Sequence, residues 1–187
     1  MRDLIGHLVG CPIELTAGHV DVAGGEEWTQ AQAQVEARRD RSVADLMAEW
    51  QRASGSIDAA IRAADVPVPV AHDILTHEQD LRGAIGAAGA PDPVAVRFLA
   101  DGFCAVLVRR AGKAELAQIE LRDPETGWSA GTEGGVVAEA SEYEWSRALT
   151  GRRSGRQVAA FGWSADPTAY LDVLCPFGPL PEADIDD

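Results

Sequence analysis

The sequence predicts an α + α/β protein, with an all-helical first half followed by a small α/β second half. Two changes of texture along the chain carry this reading. From Arg2 to Gly86 apolar residues recur at helical spacing; beyond the breaker-rich segment Gly86-Ala-Ala-Gly-Ala-Pro-Asp-Pro93, short alternating runs and glycine turns take over. The length agrees, because 187 residues accommodate two modest cores as readily as one. The expected domains are residues 1–88 and 89–187, with no internal repeat.

In the first half three helical segments are expected: Arg2 to Leu15, Glu26 to Ala64 with a break at Ser54-Gly55-Ser56, and Val70 to Ile85. In the middle segment Val43, Leu46, Met47, Trp50, Ile57 and Ile61 form one apolar stripe opposite a charged face. Pro67 and Pro69 separate it from the next helix. Three antiparallel helices leave an open groove that a fourth would close. Met1-Arg-Asp-Leu also enters a helix with no capping residue ahead of it. The expectation is a bundle without its first helix, which a late start codon has removed or a second subunit, as in a homodimer, supplies.

In the second half Val94 to Arg110 reads as a mostly buried helix and Ala114 to Leu121 as a strand. Gly127 to Gly131 and Val136 to Glu139 read as short strands around a glycine-rich turn, and Glu142 to Gly151 and Gly155 to Phe161 as helices. Trp128, Trp145, Phe161, Trp163 and Tyr170 are the expected second core and interface, and the tail Pro181–Asp187 is expected to fray.

Charge narrows the function classes. Thirty acidic against 16 basic side chains give a net charge of −14, which repels nucleic acid and anionic membrane surfaces. No apolar run approaches the roughly 20 residues that cross a bilayer, and Met1 is followed by Arg-Asp rather than a signal-type run, so a cytoplasmic chain is expected. Cys11, Cys104 and Cys175 are odd in number, widely spaced and without a CxxC pair, which suits reduced thiols and excludes a cysteine-built zinc ribbon.

The chemistry-bearing residues cluster in Val70-Ala-His-Asp-Ile-Leu-Thr-His-Glu-Gln-Asp-Leu-Arg82. On a helix Asp73 and His77 differ by only about 40° in direction, so both can reach one ligand, and they border the stripe of Ile74, Leu81 and Ile85. A carboxylate and an imidazole at the edge of a core cost free energy unless paired, and a divalent metal pairs them. His7, in the apolar run Leu4-Ile5-Gly6-His7-Leu8-Val9, is similarly placed on the first helix. His7, Asp73 and His77 are the candidate metal ligands; three protein ligands leave Zn²⁺ an open position, as in catalytic sites. The spacing equally allows a hydrogen-bonded Asp73–His77 pair and a satisfied core His7.

Around this set, Asp80 lies one turn from His77, where it either orients the imidazole or sits on a solvated face. Arg82, about 140° from His77, is expected to point toward the other domain. His72 and Glu78 are each turned about 100° away from their neighbours in the pair, His72 toward solvent. His19 is expected on a surface loop, and Cys11 as a small buried residue. A basic cluster stands at Thr150-Gly-Arg-Arg-Ser-Gly-Arg156. Arg152 and Arg153 either offer a planar fork to an anionic substrate or are dipole-favoured cations at a helix C-terminus capped by Gly151.

These residues also carry a family likeness. Arg-Asp-Leu-Ile-Gly-His7-Leu-Val-Gly, Asp73-Ile-Leu-Thr-His77-Glu-Gln-Asp80-Leu-Arg82-Gly-Ala-Ile-Gly and Arg147-Ala-Leu-Thr-Gly-Arg-Arg-Ser154 resemble the actinobacterial mycothiol-dependent maleylpyruvate isomerase-like proteins. The resemblance implies a DinB-like metal-binding bundle followed by a domain resembling sterol carrier protein folds. It implies Zn²⁺ on His7, Asp73 and His77, and mycothiol as thiol cofactor, with Asp80 and Arg82 as the candidate cofactor-binding residues. Arg152 and Arg153 become the candidate catalytic residues, at the substrate carboxylate.

The partners implied are a low-molecular-weight thiol and a small electrophile, joined and released in an isomerase or retained as an adduct in an S-transferase. Two departures stand out: the characterised isomerases carry Glu where this chain has Asp73, and the usual first helix is absent. The competing class is a non-catalytic bundle module without metal.

Overall fold

A computed structural model describes residues 1–17, 27–63, 68–87 and 92–186. They are mixed in class, helices together with one small four-stranded sheet. They divide into two compact units, Met1–Ala84 and Ile85–Asp187. Among the described residues no helix is long and apolar enough to cross a membrane. The expected surface residue His19 and the linker residues 88–91 lie outside the described residues.

The first unit holds four described helices, not three: α1 (Arg2–Thr16), α2 (Glu27–Glu36), α3 (Val43–Arg62) and α4 (Val68–Ala84). The open-groove expectation therefore loses its basis. The break expected at Ser54-Gly55-Ser56 falls instead at the turn 37–42, and its cause is a cap. Ser42 Oγ accepts from the Asp45 backbone N–H at 3.1 Å while the Asp45 carboxylate accepts from Ser42 N–H and Oγ–H at 3.3 and 2.6 Å. This is a reciprocal capping box with Asp in the place of the usual Glu. Arg38 and Arg41 then clamp the turn to Glu49 of α3 at 2.9 and 3.2 Å.

Helix α3 runs straight through Gly55 because Leu46 and Ile57, eleven residues apart and thus within about 20° of each other, are both buried. Burying Ile57 contributes about 1.5–3 kcal/mol, more than the roughly 1 kcal/mol that a mid-helix glycine costs. The expected stripe is narrower than its spacing suggested, since Val43 and Met47 are exposed.

Helix α1 is the hub of this unit, packing against α2, α3 and α4. That role explains its composition: Gly6, Val9, Gly10, Cys11 and Pro12 are all buried. Gly6 and Gly10, one turn apart, face Arg38 of the turn after α2 and Gln34 of α2. A Cβ at Gly10 would lie 2.8 Å from Arg38 Nη1 and 2.9 Å from both Cβ and Cγ of Gln34. The two helices thus meet where one has no side chain.

In the second unit the Asp92 carboxylate caps α5 (Pro93–Lys113) by accepting from Val94 N–H at 2.8 Å, with Pro93 in the first turn. The chain continues through β1 (Ile119–Asp123), β2 (Trp128–Gly131), β3 (Val136–Glu139), α6 (Glu142–Leu149), α7 (Gly155–Ala159), β4 (Gly162–Trp163) and α8 (Thr168–Leu174). The strand expected over Ala114–Leu121 starts at Ile119, because α5 continues to Lys113 and Glu115 then turns the chain with φ 57°.

The sheet order is β2-β1-β3-β4, antiparallel except for the parallel β1–β3 pair. The crossing from β2 to β3 takes only residues 132–135. It uses Gly131 and Gly134 at positive φ, and a Cβ at Gly131 would strike the Ile119 carbonyl. Strand β4 and helix α8 were absent from the sequence expectations. Beside β4, Ser164 N–H donates to Val137 O and Val137 N–H donates to Ser164 Oγ, both at 2.8 Å.

Trp145, fully buried, stacks edge-on against Phe161 and Trp163 at 5.0 and 6.2 Å, and Tyr170 and Trp128 are buried as expected. A buried polar group is also fully bonded. Asp123 accepts from the N–H of Glu125, Thr126 and Glu142, and Glu142 pairs bidentately with Arg97. The tail does not fray through residues 184 and 185, correcting that expectation. Asp184 accepts from Ser154 Oγ at 2.6 Å and pairs with Arg156, and Ile185 exchanges two hydrogen bonds with the Gln157 amide.

Two glycines on helices should respond in opposite directions to alanine. Gly10→Ala is expected to destabilise by about 1–3 kcal/mol, through overpacking against Gln34. Gly55→Ala, with nothing within 4 Å of its Cβ position, should stabilise by about 0.5–1 kcal/mol. Urea unfolding midpoints measure both, and equal shifts would contradict the close α1–α2 approach.

Candidate metal centre

Three side chains from two helices converge within the first unit. His7 of α1 and Asp73 and His77 of α4 each offer one ligand atom, and these atoms lie within 4.8 Å of one another. The Asp73 carboxylate sits between the rings: Oδ2 is 3.0 Å from His7 Nε2, and Oδ1 is 3.4 Å from His77 Nε2. The two imidazoles meet edge to face with centroids 5.3 Å apart. Helical geometry supplies the Asp73–His77 half, through i,i+4 spacing. The packing of α1 against α4 supplies His7.

Each histidine is held from behind. His7 Nδ1 is 2.7 Å from Gln34 Oε1, and His77 Nδ1 is 2.8 Å from Asp80 Oδ2. Both partners are acceptors, so each Nδ1 carries the hydrogen and both Nε2 atoms are aimed at the shared carboxylate. Asp80 therefore stands where it can orient His77, one of the two positions open to it from sequence. Gln34, only 2% exposed, escaped the sequence reading. Its single sequence trace is the spacing of Gln30 and Gln34 on one face of α2, a pattern too common to single it out.

The donor set fits a divalent ion. Metal–nitrogen and metal–oxygen bonds of about 2.0–2.2 Å in a tetrahedron place neighbouring ligands about 3.3 Å apart. The two carboxylate–imidazole separations, 3.0 and 3.4 Å, lie near that value but run from different carboxylate oxygens, and the three ligand atoms lie within 4.8 Å of one another. Two imidazoles and one carboxylate suit Zn²⁺ and similar borderline ions.

Electrostatics follow from the same contacts. Burial alone would raise the Asp73 carboxyl, but hydrogen bonds from His7 and His77 outweigh it and hold the group well below the usual carboxylate range. Burial likewise opposes the charged form of His77, yet its bonds to Asp73 and Asp80 raise it to about 9. Nearby, burial pushes the Cys11 thiol up to about 12, with the charges of Asp73 and Glu14 acting the same way, so Cys11 is the small buried residue expected.

The face of α4 assigned to the core from spacing is not the most buried one. His72, expected toward solvent, is buried together with Thr76 and Gln79, whereas Ile74 and Leu81 are half-buried and Ile85 is 62% exposed. Ranking helix faces by apolarity misplaces a helix whose buried side is polar.

The remaining candidates lie in ion pairs or backbone contacts. Arg82 bonds Glu78 Oε1 through Nε and Nη2 at 2.9 and 2.7 Å on a half-exposed stretch of α4. In the second unit Arg153 is buried, pairs bidentately with Glu144 at 2.7 and 2.9 Å and lies over the Tyr143 ring. Arg152 is half-buried and donates to the Thr150 carbonyl at 2.5 Å. Gly151, at φ 78°, follows the α6 C-cap as expected.

No family model matches the chain, and comparison with curated proteins and with solved structures finds no significant match.

In the metal-free protein the cluster should make stability depend on pH in two windows. The His77 contribution is complete below its ordinary value of 6.5 and is lost as pH rises through about 9. The Asp73 contribution is present above its ordinary value of 3.8 and is lost as pH falls below it. Denaturation midpoints of wild type and His77→Gln, taken with chelator present, should converge between pH 6.5 and 9. A difference that stays constant over that range would rule out the His77 pairing.

Proposed function

We propose that the first unit is a DinB-like metal-binding bundle and the second a domain resembling sterol carrier protein folds. On this reading the chain is a metal- and thiol-dependent enzyme, an isomerase or S-transferase acting on a small electrophilic, carboxylate-bearing substrate. The observation that carries it is the convergence of His7, Asp73 and His77 with both imidazoles anchored through Nδ1. Zn²⁺ and mycothiol are the ion and the thiol that the family resemblance implies. A bound divalent cation supplies positive charge that favours thiolate over thiol, whose pKa near 8.5 otherwise keeps it largely protonated at neutral pH.

The chain's own residues divide the remaining work. Asp80 fixes the His77 ring, and Asp73 places one negative charge against the ion. Arg152 and Arg153, in the second unit, are the candidates for an anionic substrate; Arg153 is bonded to Glu144 and Arg152 to the Thr150 carbonyl. Arg82, on α4 with the ligands, is the candidate cation for the thiol cofactor.

A second reading has its own support. The direct bonds of 3.0 and 3.4 Å join the three side chains without an ion, as a metal-free interaction module would need.

Elemental analysis of protein purified without chelator separates the two. The enzyme predicts about one equivalent of zinc in wild type and loss of it in His77→Ala. Wild type that takes up no zinc even after incubation with the ion establishes the module instead. With metal present, incubation with mycothiol and electrophiles distinguishes the reactions: thiol is consumed stoichiometrically in transfer and conserved in isomerisation.

A further inference from the structure

Near the cluster, the Gln34 amide is bonded at both its oxygen and its nitrogen. Gln34 projects from α2 with its carbonyl oxygen 2.7 Å from His7 Nδ1 and its amide nitrogen 2.8 Å from Glu14 Oε2. Glu14 lies on α1, two turns beyond His7, and also accepts from Gln30 at 3.4 Å. A carboxylate offers only acceptors, so the Gln34 nitrogen must face Glu14 and its oxygen must face His7. That orientation obliges His7 to carry a hydrogen on Nδ1, so that Nε2, which without an ion donates to Asp73 at 3.0 Å, is the nitrogen left to bind a metal. Without Glu14 the amide could flip, present its NH₂ to His7 and favour the opposite tautomer, with Nε2 protonated and useless as a ligand.

We infer that Glu14 and Gln34 are positioning residues that set the tautomer and orientation of His7 as a metal ligand. This rests on the metal-binding reading above. The two imidazoles are then held by different chemistry: His77 by the nearby Asp80 carboxylate three residues along its own helix, His7 by a neutral amide whose direction a second carboxylate fixes. The amide reaches His7 only because α2 approaches α1 at Gly10, where any side chain would meet Gln34 Cβ. Glycine at residue 10 and glutamine at residue 34 thus form one device, the first opening the space that the second fills. Supporting partners of this kind typically change metal affinity about 10- to 100-fold when removed.

The test is zinc affinity by chelator competition, read beside thermal unfolding, for wild type, Gln34→Met, Gln34→Glu and the exchange E14Q/Q34E. Methionine keeps the length of the side chain and removes the acceptor. The exchange restores an amide facing a carboxylate, with the carboxylate now accepting from His7. The expected result is zinc binding weakened about 10- to 100-fold in Gln34→Met at little change in Tm, and recovered to within about threefold of wild type in E14Q/Q34E.

Long-range ¹H–¹⁵N spectra of the imidazoles should show His7 protonated at Nδ1 in wild type and in the exchange. Wild-type affinity in Gln34→Met, or an exchange no better than Gln34→Glu, overturns the positioning role while leaving the metal site intact. Wild type that binds no zinc removes both. If Gln34→Met fails to fold, the comparison of Gln34→Glu with E14Q/Q34E decides, since rescue by the second carboxylate-to-amide change is not expected of a residue that only packs.

Discussion

One carboxylate held between two imidazoles organises the first unit. Asp73 is half-buried, and burial on its own would favour its neutral form; the bonds to His7 and His77 reverse that preference. Removing Asp73 takes away the acceptor that the two Nε2 atoms share and leaves each imidazole with its Nδ1 partner alone. The cluster therefore constrains how α1 and α4 can pack, since their relative placement must deliver Nε2 of His7 to within hydrogen-bonding distance of a residue 66 positions later.

Helix α1 bears the consequences. It is surrounded by three helices, so it needs small residues where neighbours come close, and Gly6 and Gly10 supply them on the α2 side. The same helix carries His7 and Glu14, which means the close approach and the ligand scaffold share a few turns of backbone. Packing and chemistry are not separable here: closing the α1–α2 contact brings Gln34 onto His7.

How much of this could be read from the chain depended on whether a feature was local. The Asp73–His77 relation is a property of one helix, and the apolar run around His7 marks it as an inward-facing histidine; both are visible in a line of text. Val136–Glu139 and the Ser154-Gly-Arg-Gln157 cap are likewise local. The end of α2 was missed because Ala37-Arg-Arg-Asp40 contains neither glycine nor proline, and its stop comes from a Ser42–Asp45 cap and from Glu49. Gln34 was missed because its partners lie 20 and 27 residues away. The burial of His72 went wrong because a polar buried face has no hydropathy signature.

The short β4 has a consequence for how the second unit meets other molecules. A strand with an open flank invites another chain to zip onto it, which is how many β proteins aggregate. Here β4 pairs with only two residues of β3, yet the backbone N–H of Val137, just beyond that pairing, is taken by a serine hydroxyl and its carbonyl by the serine amide. Ser164 thereby plugs the next rung of the ladder with a side chain that cannot propagate it, so a foreign strand finds no docking register at this position.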